Sequence, residues 1–393
     1  MTKVLSLFGT RPEVIKLGPV IRSLETRPGT FQTVNVASGQ HDSLASPFIK
    51  LFGIRVDHEL RVMQPGQSPN EVCARVLAAL DRVLLREAPD VVLVQGDTTT
   101  AMAGALAAFH RRIPVGHVEA GLRSGDVQSP FPEEMNRCLA GRLATYHFAA
   151  TTANRDNLRA EGVPEERIFV TGNPVVDALL TVLPTLKPSA VLRAVFESIG
   201  SRRTIVLTTH RRESFGGKLL ENLRVLRSFV DRHDDVALAF PVHPNPVVVD
   251  ASRSVLGSHP RIHLLEPLAY EDFLLLLTRA FLIVSDSGGV QEEAPTIGRP
   301  LLVLRENTER PEGLVHGNSR LAGNPALLEE LLEEAWAPDS WAANASRVEN
   351  PFGRGDAGER IAALLHELIV KPQSVAAPAA SPVRRNLELI VRP

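Results

Sequence analysis

Asp97, Glu119 and the Glu133-Glu134 pair are spaced in a way that suggests proton transfer. The apolar run Val91-Val92-Leu93-Val94-Gln95 leads to Gly96-Asp97-Thr98-Thr99-Thr100. A second run, Ile113-Pro114-Val115-Gly116-His117-Val118, leads to Glu119, with Gly121 just beyond. Glu133 and Glu134 follow on the Pro-rich turn Pro130-Phe131-Pro132. Several carboxylates gathered at one place can act as general acids and bases. Asp97 taken alone also fits a helix N-cap, a role Thr98 to Thr100 could share. Glycines beside both carboxylates tilt the reading towards a site, because they allow close backbone approach.

The elements that must position these groups follow from the same stretch. Both runs are too short for helices, and a small-residue helical pattern, Met102 to Phe109, lies between them. This is a strand–helix–strand unit with parallel strands, which brings Asp97 and Glu119 to the same sheet edge, where ligands of open α/β sheets bind. Other strand–turn–helix units flank it. Lys3 to Phe8 runs into Gly9-Thr10-Arg11-Pro12-Glu13 and a helix through Leu24, the layout of an anion site at a helix N-terminus. Arg11 and Lys16 could add positive charge there or be solvated surface residues. Because G-x-G-x-x-G is absent, this turn is not a dinucleotide fingerprint. His41, in Ser38-Gly39-Gln40-His41-Asp42, reads more readily as a loop residue than as a site residue. Leu183-Pro184-Thr185-Leu186-Lys187-Pro188-Ser189 lacks periodicity and marks a boundary. Alternation then restarts: one strand ends at His210-Arg211-Arg212-Glu213, another at Asp286-Ser287-Gly288-Gly289. Ser287 to Gly289 reads as a phosphate cradle before a helix or as a plain turn. A helix dipole alone is worth about 0.3–1 kcal/mol when exposed, so a diphosphate would also need several of Arg11, His210, Arg211 and Arg310.

Whole-chain properties bound the rest. At 393 residues the chain exceeds what one core usually supports. We expect two domains, residues 1–182 and 190–368, with the last helix free to cross back to the first. A Pro/Ala-rich tail, 371–393, is expected to carry no chemistry. The composition is ordinary, 44% hydrophobic and 22% charged, and the net charge of −2 gives no electrostatic footprint for nucleic acid. The two cysteines, Cys73 and Cys138, have no metal-ligand spacing, which suits a reducing compartment. No apolar run approaches the roughly 20 residues of a membrane span, and the first glycine turn comes too early for a signal peptide. A cytoplasmic protein without membrane or nucleic-acid partners is expected.

The strings Phe8-Gly9-Thr10-Arg11-Pro12-Glu13, Gly96-Asp97-Thr98-Thr99-Thr100, His117-Val118-Glu119-Ala120-Gly121-Leu122-Arg123, Pro132-Glu133-Glu134, His210-Arg211-Arg212-Glu213, Ser285-Asp286-Ser287-Gly288-Gly289-Val290-Gln291-Glu292-Glu293 and Thr308-Glu309-Arg310-Pro311-Glu312 resemble, in order, those of the non-hydrolysing UDP-N-acetylglucosamine 2-epimerases. The resemblance spans roughly residues 3 to 368. It implies α/β architecture with two Rossmann-like, doubly wound parallel-sheet domains facing a cleft (GT-B), a UDP-sugar substrate, a homodimer, and no cofactor or metal. It also implies roles: Asp97, Glu119, Glu133 and His210 catalytic; Arg11, Lys16, Arg310, Ser287, Gly288 and Gly289 on the UDP moiety, with His210 also beside it; Phe273 against uracil; and Glu293 on the ribose. The family route breaks the bond from carbon 1 to UDP, removes the carbon 2 proton to give 2-acetamidoglucal, and re-adds UDP after protonation on the other face. Two positions depart. Gln40-His41-Asp42 stands where family members commonly read Gln-His-Arg. Ser43 and Gly66 stand where some members have the Gln and Arg of an activator pocket for a second substrate molecule, so the resemblance leaves activation open. Epimerases for other 2-acetamido sugars, hydrolysing epimerases and GT-B glycosyltransferases remain compatible with the same fold.

Overall fold

The computed structural model describes residues 1–39, 42–64, 66–209 and 216–370. The first half runs β1 (Thr2–Phe8), α1 (Arg11–Glu25), β2 (Phe31–Ala37), α2 (Asp42–Leu51), β3 (His58–Glu59), α3 (Pro69–Glu87), β4 (Val91–Gln95), α4 (Thr99–His110), β5 (Val115–Ala120), α5 (Glu133–Leu143), β6 (Tyr146–Ala149), α6 (Thr152–Ala160), β7 (Ile168–Val170) and α7 (Pro174–Val182). The second runs α8 (Ala190–Ile199), β8 (Arg203–Thr208), α9 (Gly217–Arg232), β9 (Val236–Pro241), α10 (Pro246–Leu256), β10 (Ile262–Leu265), α11 (Tyr270–Arg279), β11 (Leu282–Ser285), α12 (Gly288–Thr296), β12 (Leu301–Val303), α13 (Glu312–His316), β13 (Ser319–Leu321), α14 (Pro325–Trp336), α15 (Trp341–Asn344) and α16 (Ala357–Leu365).

Two all-parallel sheets result, ordered β3-β2-β1-β4-β5-β6-β7 and β10-β9-β8-β11-β12-β13. Central strands such as β4 are buried along their whole length because helices cover both faces, so they read as continuous apolar runs. The strand order reverses between β1 and β4 and again between β8 and β11. At such switch points the following loops diverge and leave a crevice. The loops after β1, β4 and β11 therefore face one another, each carrying one of the sequence motifs.

Helix α16 returns to the first half. It packs on α1 and α7, and the Gly358 N–H donates to Asp177 at 2.8 Å. The Asn173 N–H donates to the Phe352 carbonyl at 2.8 Å, tying the chain after β7 to the same return segment. Among the described residues no single helix is long and apolar enough to cross a membrane.

Candidate active site

One cavity of about 420 Å³ lies between the two halves. Its floor comes from the first half. Glu13 in the first turn of α1 accepts the N–H groups of Gly9 and Thr10, at 2.8 and 2.7 Å, and the Thr98 hydroxyl at 2.6 Å. This one buried carboxylate locks the β1–α1 loop to the β4–α4 loop. Burial pushes its pKa up against those hydrogen bonds. Thr98 is the N-cap of α4, accepting from the Ala101 N–H at 3.0 Å. The cap role therefore does not fall to Asp97, which lines the cavity and takes Arg137 Nη2 at 2.5 Å.

Glu119 occupies an unusual backbone position. It sits inside β5 where the register to β6 shifts, and its φ is +63°. A non-glycine residue in this region typically carries about 1–3 kcal/mol of strain. The bulge turns the side chain into the cavity. There its carboxylate accepts from Lys16, from the Gln95 amide and, at 3.0 Å, from the Asn173 amide. Lys16 Nζ also lies 2.7 Å from Oε2 of Glu292, which comes from the second half. Glu292 in turn takes Arg310 Nε at 2.5 Å, and Arg310 Nη1 reaches Glu309 at 2.5 Å.

This chain of buried charges separates the carboxyl pKa values. Burial raises that of Glu119 to about 7, against the opposing pull of Lys16. Burial also disfavours the charge of Glu292, yet Arg310 and Lys16 together hold it down to about 2. Lys16 is pushed up despite its burial, because both carboxylates favour its charge. Glu293, one residue on, turns the other way and accepts the Tyr270 hydroxyl at 3.0 Å; burial lifts it to about 7.

The opposite wall is the first turn of α12. Ser287 caps the helix, its Oγ accepting from Val290 at 3.4 Å, and Gly288 and Gly289 line the cavity. A Cβ on Gly288 would stand 2.8 Å from Arg310 Nη1. Only glycine lets the guanidinium lie against the helix terminus, where a helix dipole and a fixed cation together suit an anion. Gly288→Ala should therefore displace Arg310 and weaken binding of a diphosphate here about tenfold or more, within the 1.5–3 kcal/mol of a charge-assisted hydrogen bond. Titration calorimetry with inorganic diphosphate checks it.

The structure brings Asp97, Glu119, Glu133, Arg11, Lys16, Ser287, Gly288, Gly289, Glu293 and Arg310 to this one cavity. Lys16 is only 6% exposed, so its surface-charge alternative falls, whereas Arg11 stays exposed at the rim. Glu134 turns away and accepts the Ser124 and Gly125 N–H groups at 3.0 and 3.3 Å, leaving Glu133 as the cavity carboxylate of the pair. Phe273 is not brought to this cavity. It packs partly buried against the second-half core, while Tyr270, one turn earlier on α11, supplies the aromatic ring at the cavity. His210, Arg211, Gln40 and His41 lie outside the described residues. Sequence reasoning missed Gln95, Arg137, Asn173 and Glu292. Each had a positional signal: Gln95 ends β4, Asn173 precedes a proline at a strand end, Arg137 lies four residues after Glu133, and Glu292 adjoins Glu293.

Two buried histidines support the same edge. His117 donates Nε2–H to the Gly96 carbonyl at 2.8 Å, and His147 is its partner in β6. Burial first, then nearby arginines, lowers His117 to about 4; burial, His117 and arginines lower His147 to about 3. Their pKa values fall on folding, so the stability they give is present above about pH 6.5 and is lost as pH falls towards 4 and 3. Glu119 and Glu293 have raised values and contribute the opposite way, gaining stability as pH falls from 7 to 4.5. The two pairs offset between pH 6.5 and 4.5. Below 4.5 the histidine loss is joined by that of Glu292. Urea unfolding should give a nearly flat stability from pH 6.5 to 4.5 and a steep fall below it. The double variant Glu119→Gln, Glu293→Gln should begin its decline near pH 6.5.

Two doubly wound sheets facing a cleft, with an acid–base cluster on one wall and an anion cradle on the other, define a two-lobed α/β enzyme of the GT-B type. A family model described as UDP-N-acetylglucosamine 2-epimerase matches residues 22–366. The UDP-N-acetylglucosamine 2-epimerase of Escherichia coli (strain K12) is 44% identical over 366 residues, covering 91% of this chain and 97% of that one. The UDP-GlcNAc 2-epimerase from Neisseria meningitidis, solved bound to UDP-GlcNAc, superposes with a TM-score of 0.86 at 38% identity, covering 93% and 99% of the two chains. The Methanocaldococcus jannaschii enzyme, in complex with UDP-GlcNAc and UDP, gives 0.78 at 36% identity, covering 93% and 99%. The chain belongs to the UDP-N-acetylglucosamine 2-epimerase family, which is a family of isomerases.

Proposed function

We propose that this protein interconverts UDP-N-acetylglucosamine and UDP-N-acetylmannosamine without releasing free sugar. The observation that carries this reading is the placement, in one cavity, of Asp97, Glu119 and Glu133 opposite Arg310 and the first turn of α12. The carbon 2 proton of a hexose is not acidic until a better route opens. Breaking the bond from carbon 1 to the diphosphate sends its electron pair to UDP, whose charge Arg310, Lys16 and the first turn of α12 would take up. The cationic sugar then loses its carbon 2 proton to a cavity carboxylate, and 2-acetamidoglucal forms. Protonation from the other face and return of UDP give the epimer. Asp97, Glu119 and Glu133 are the candidate proton carriers, with His210 assigned beside them from the motif. Glu293 and Tyr270 would meet the nucleoside.

The two halves, residues 1–182 and 190–368, would act as lobes that grip opposite ends of the substrate. A homodimer, implied by the family resemblance, and a cytoplasmic location belong to the same reading. Proton and phosphorus NMR on UDP-N-acetylglucosamine with the enzyme tests the reaction. The expected result is an equilibrium of the two UDP-sugars with no free UDP accumulating. Free UDP with free N-acetylmannosamine would replace this reading with the hydrolysing one.

A further inference from the structure

We propose that Glu292 is a positioning residue for proton transfer at Glu119: from the second half it holds the Lys16 ammonium across the cleft, so that Glu119 is ready to exchange a proton only while the two halves are together. This rests on the acid–base role given to Glu119 above. The geometry is specific. Glu292 is 1% exposed, with one oxygen on Arg310 Nε and the other 2.7 Å from Lys16 Nζ. Lys16 belongs to α1 and its other contact is Glu119. A single ammonium therefore stands between two buried carboxylates, one from each half.

The charged groups facing Glu119 are Lys16 from α1, and Glu292 and Arg310 from the second half; Gln95 and Asn173 add neutral donors. Glu292 has Arg310 as a second counter-charge and remains ionised. Burial is the main reason that Glu119 holds its proton; sharing Lys16 with Glu292 limits the opposing pull, and the like charge of Glu292 adds to the effect of burial. Moving the halves apart removes Glu292 together with the smaller opposing pull of Arg310, admits water, and leaves Lys16 to Glu119 alone. The carboxylate of Glu119 is then better stabilised and a weaker base. Acid–base competence is in this way tied to closure of the cleft on substrate.

Glu292→Gln keeps the shape and removes the charge. Deuterium incorporation at carbon 2, followed against pH, should show the limb belonging to Glu119 moved to lower pH by about half a unit or more, roughly a threefold change in proton affinity. The direction is the same whether Glu119 acts as acid or base, because its pKa falls in either case. Glu292→Asp retains the charge and should bring the limb back towards wild type. An unmoved limb in Glu292→Gln overturns the proposal. Infrared titration of the protonated carboxyl band gives the same two outcomes without turnover, with Glu119→Gln identifying which band is Glu119. If the wild-type protein does not act on UDP-N-acetylglucosamine but the Glu119 band still shifts in Glu292→Gln, the coupling stands and the assigned reaction falls.

Discussion

Glutamine in place of Glu119 should lower turnover at least about 100-fold, the low end of what a positioned general acid or base contributes, while UDP binds within a few-fold of wild type. The reason begins in the backbone. A glutamate at φ +63° inside a strand is held there by surrounding structure, and the bulge aims it at the cavity. Three donors meet its carboxylate, and burial still lifts its pKa to about 7. A group titrating near neutrality can both take and return a proton, which epimerisation requires. In Glu119→Gln the new side chain would keep the volume but face Lys16, Gln95 and Asn173 with an amide that can accept only through its oxygen. Some stability is lost as well, so unfolding must be measured beside activity. A variant with unchanged turnover and a raised KM would show that Glu119 binds substrate and does not transfer its proton.

Arg310→Ala should be the most damaging substitution in the second half. Arg310 spans Glu292 and Glu309, whose side chains are 1% and 2% exposed. Removing it takes one counter-charge from each: Glu292 keeps Lys16, and Glu309 keeps Arg305 at 2.8 Å. Breaking a buried pair from one side costs about 3–5 kcal/mol. UDP would also lose a charge-assisted contact worth about 1.5–3 kcal/mol, or roughly 10- to 150-fold in affinity. Arg310→Lys keeps the charge but cannot fork between two carboxylates, so it should fall between Ala and wild type. Urea unfolding and UDP calorimetry check both quantities. Full stability together with full UDP affinity in Arg310→Ala would remove Arg310 from the anion site.

The central strands and their loops were legible because a strand buried on both faces writes itself as a short apolar run ending at a turn. β3, β10 and β13, which carry no such run ending at a turn motif, are edges of the two sheets. An edge strand is short and half-covered, and little in its composition separates it from a loop. Site residues followed the same logic. Asp97 and Glu119 are visible because they interrupt apolar runs at strand ends. Asn173 was hidden because it also serves as a cap. Its Oδ1 accepts the Val175 N–H at 3.1 Å to start α7, while the amide nitrogen is the part that reaches Glu119. Glu292 was hidden by Glu293, since adjacent helix residues point about 100° apart and nothing in the string says which turns inward. Here both are buried, one towards Lys16 and Arg310, the other towards Tyr270. Phe273, expected from the family motif, lies on the same helix as Tyr270, which lines the cavity.

Removal of the carbon 2 proton after UDP departs is the step on which the proposed reaction depends. NMR of UDP-N-acetylglucosamine incubated with the enzyme in deuterium oxide observes that step itself. Deuterium should appear at carbon 2 of both UDP-sugars and accumulate as they interconvert. Interconversion with the original proton retained at carbon 2 would contradict the elimination route.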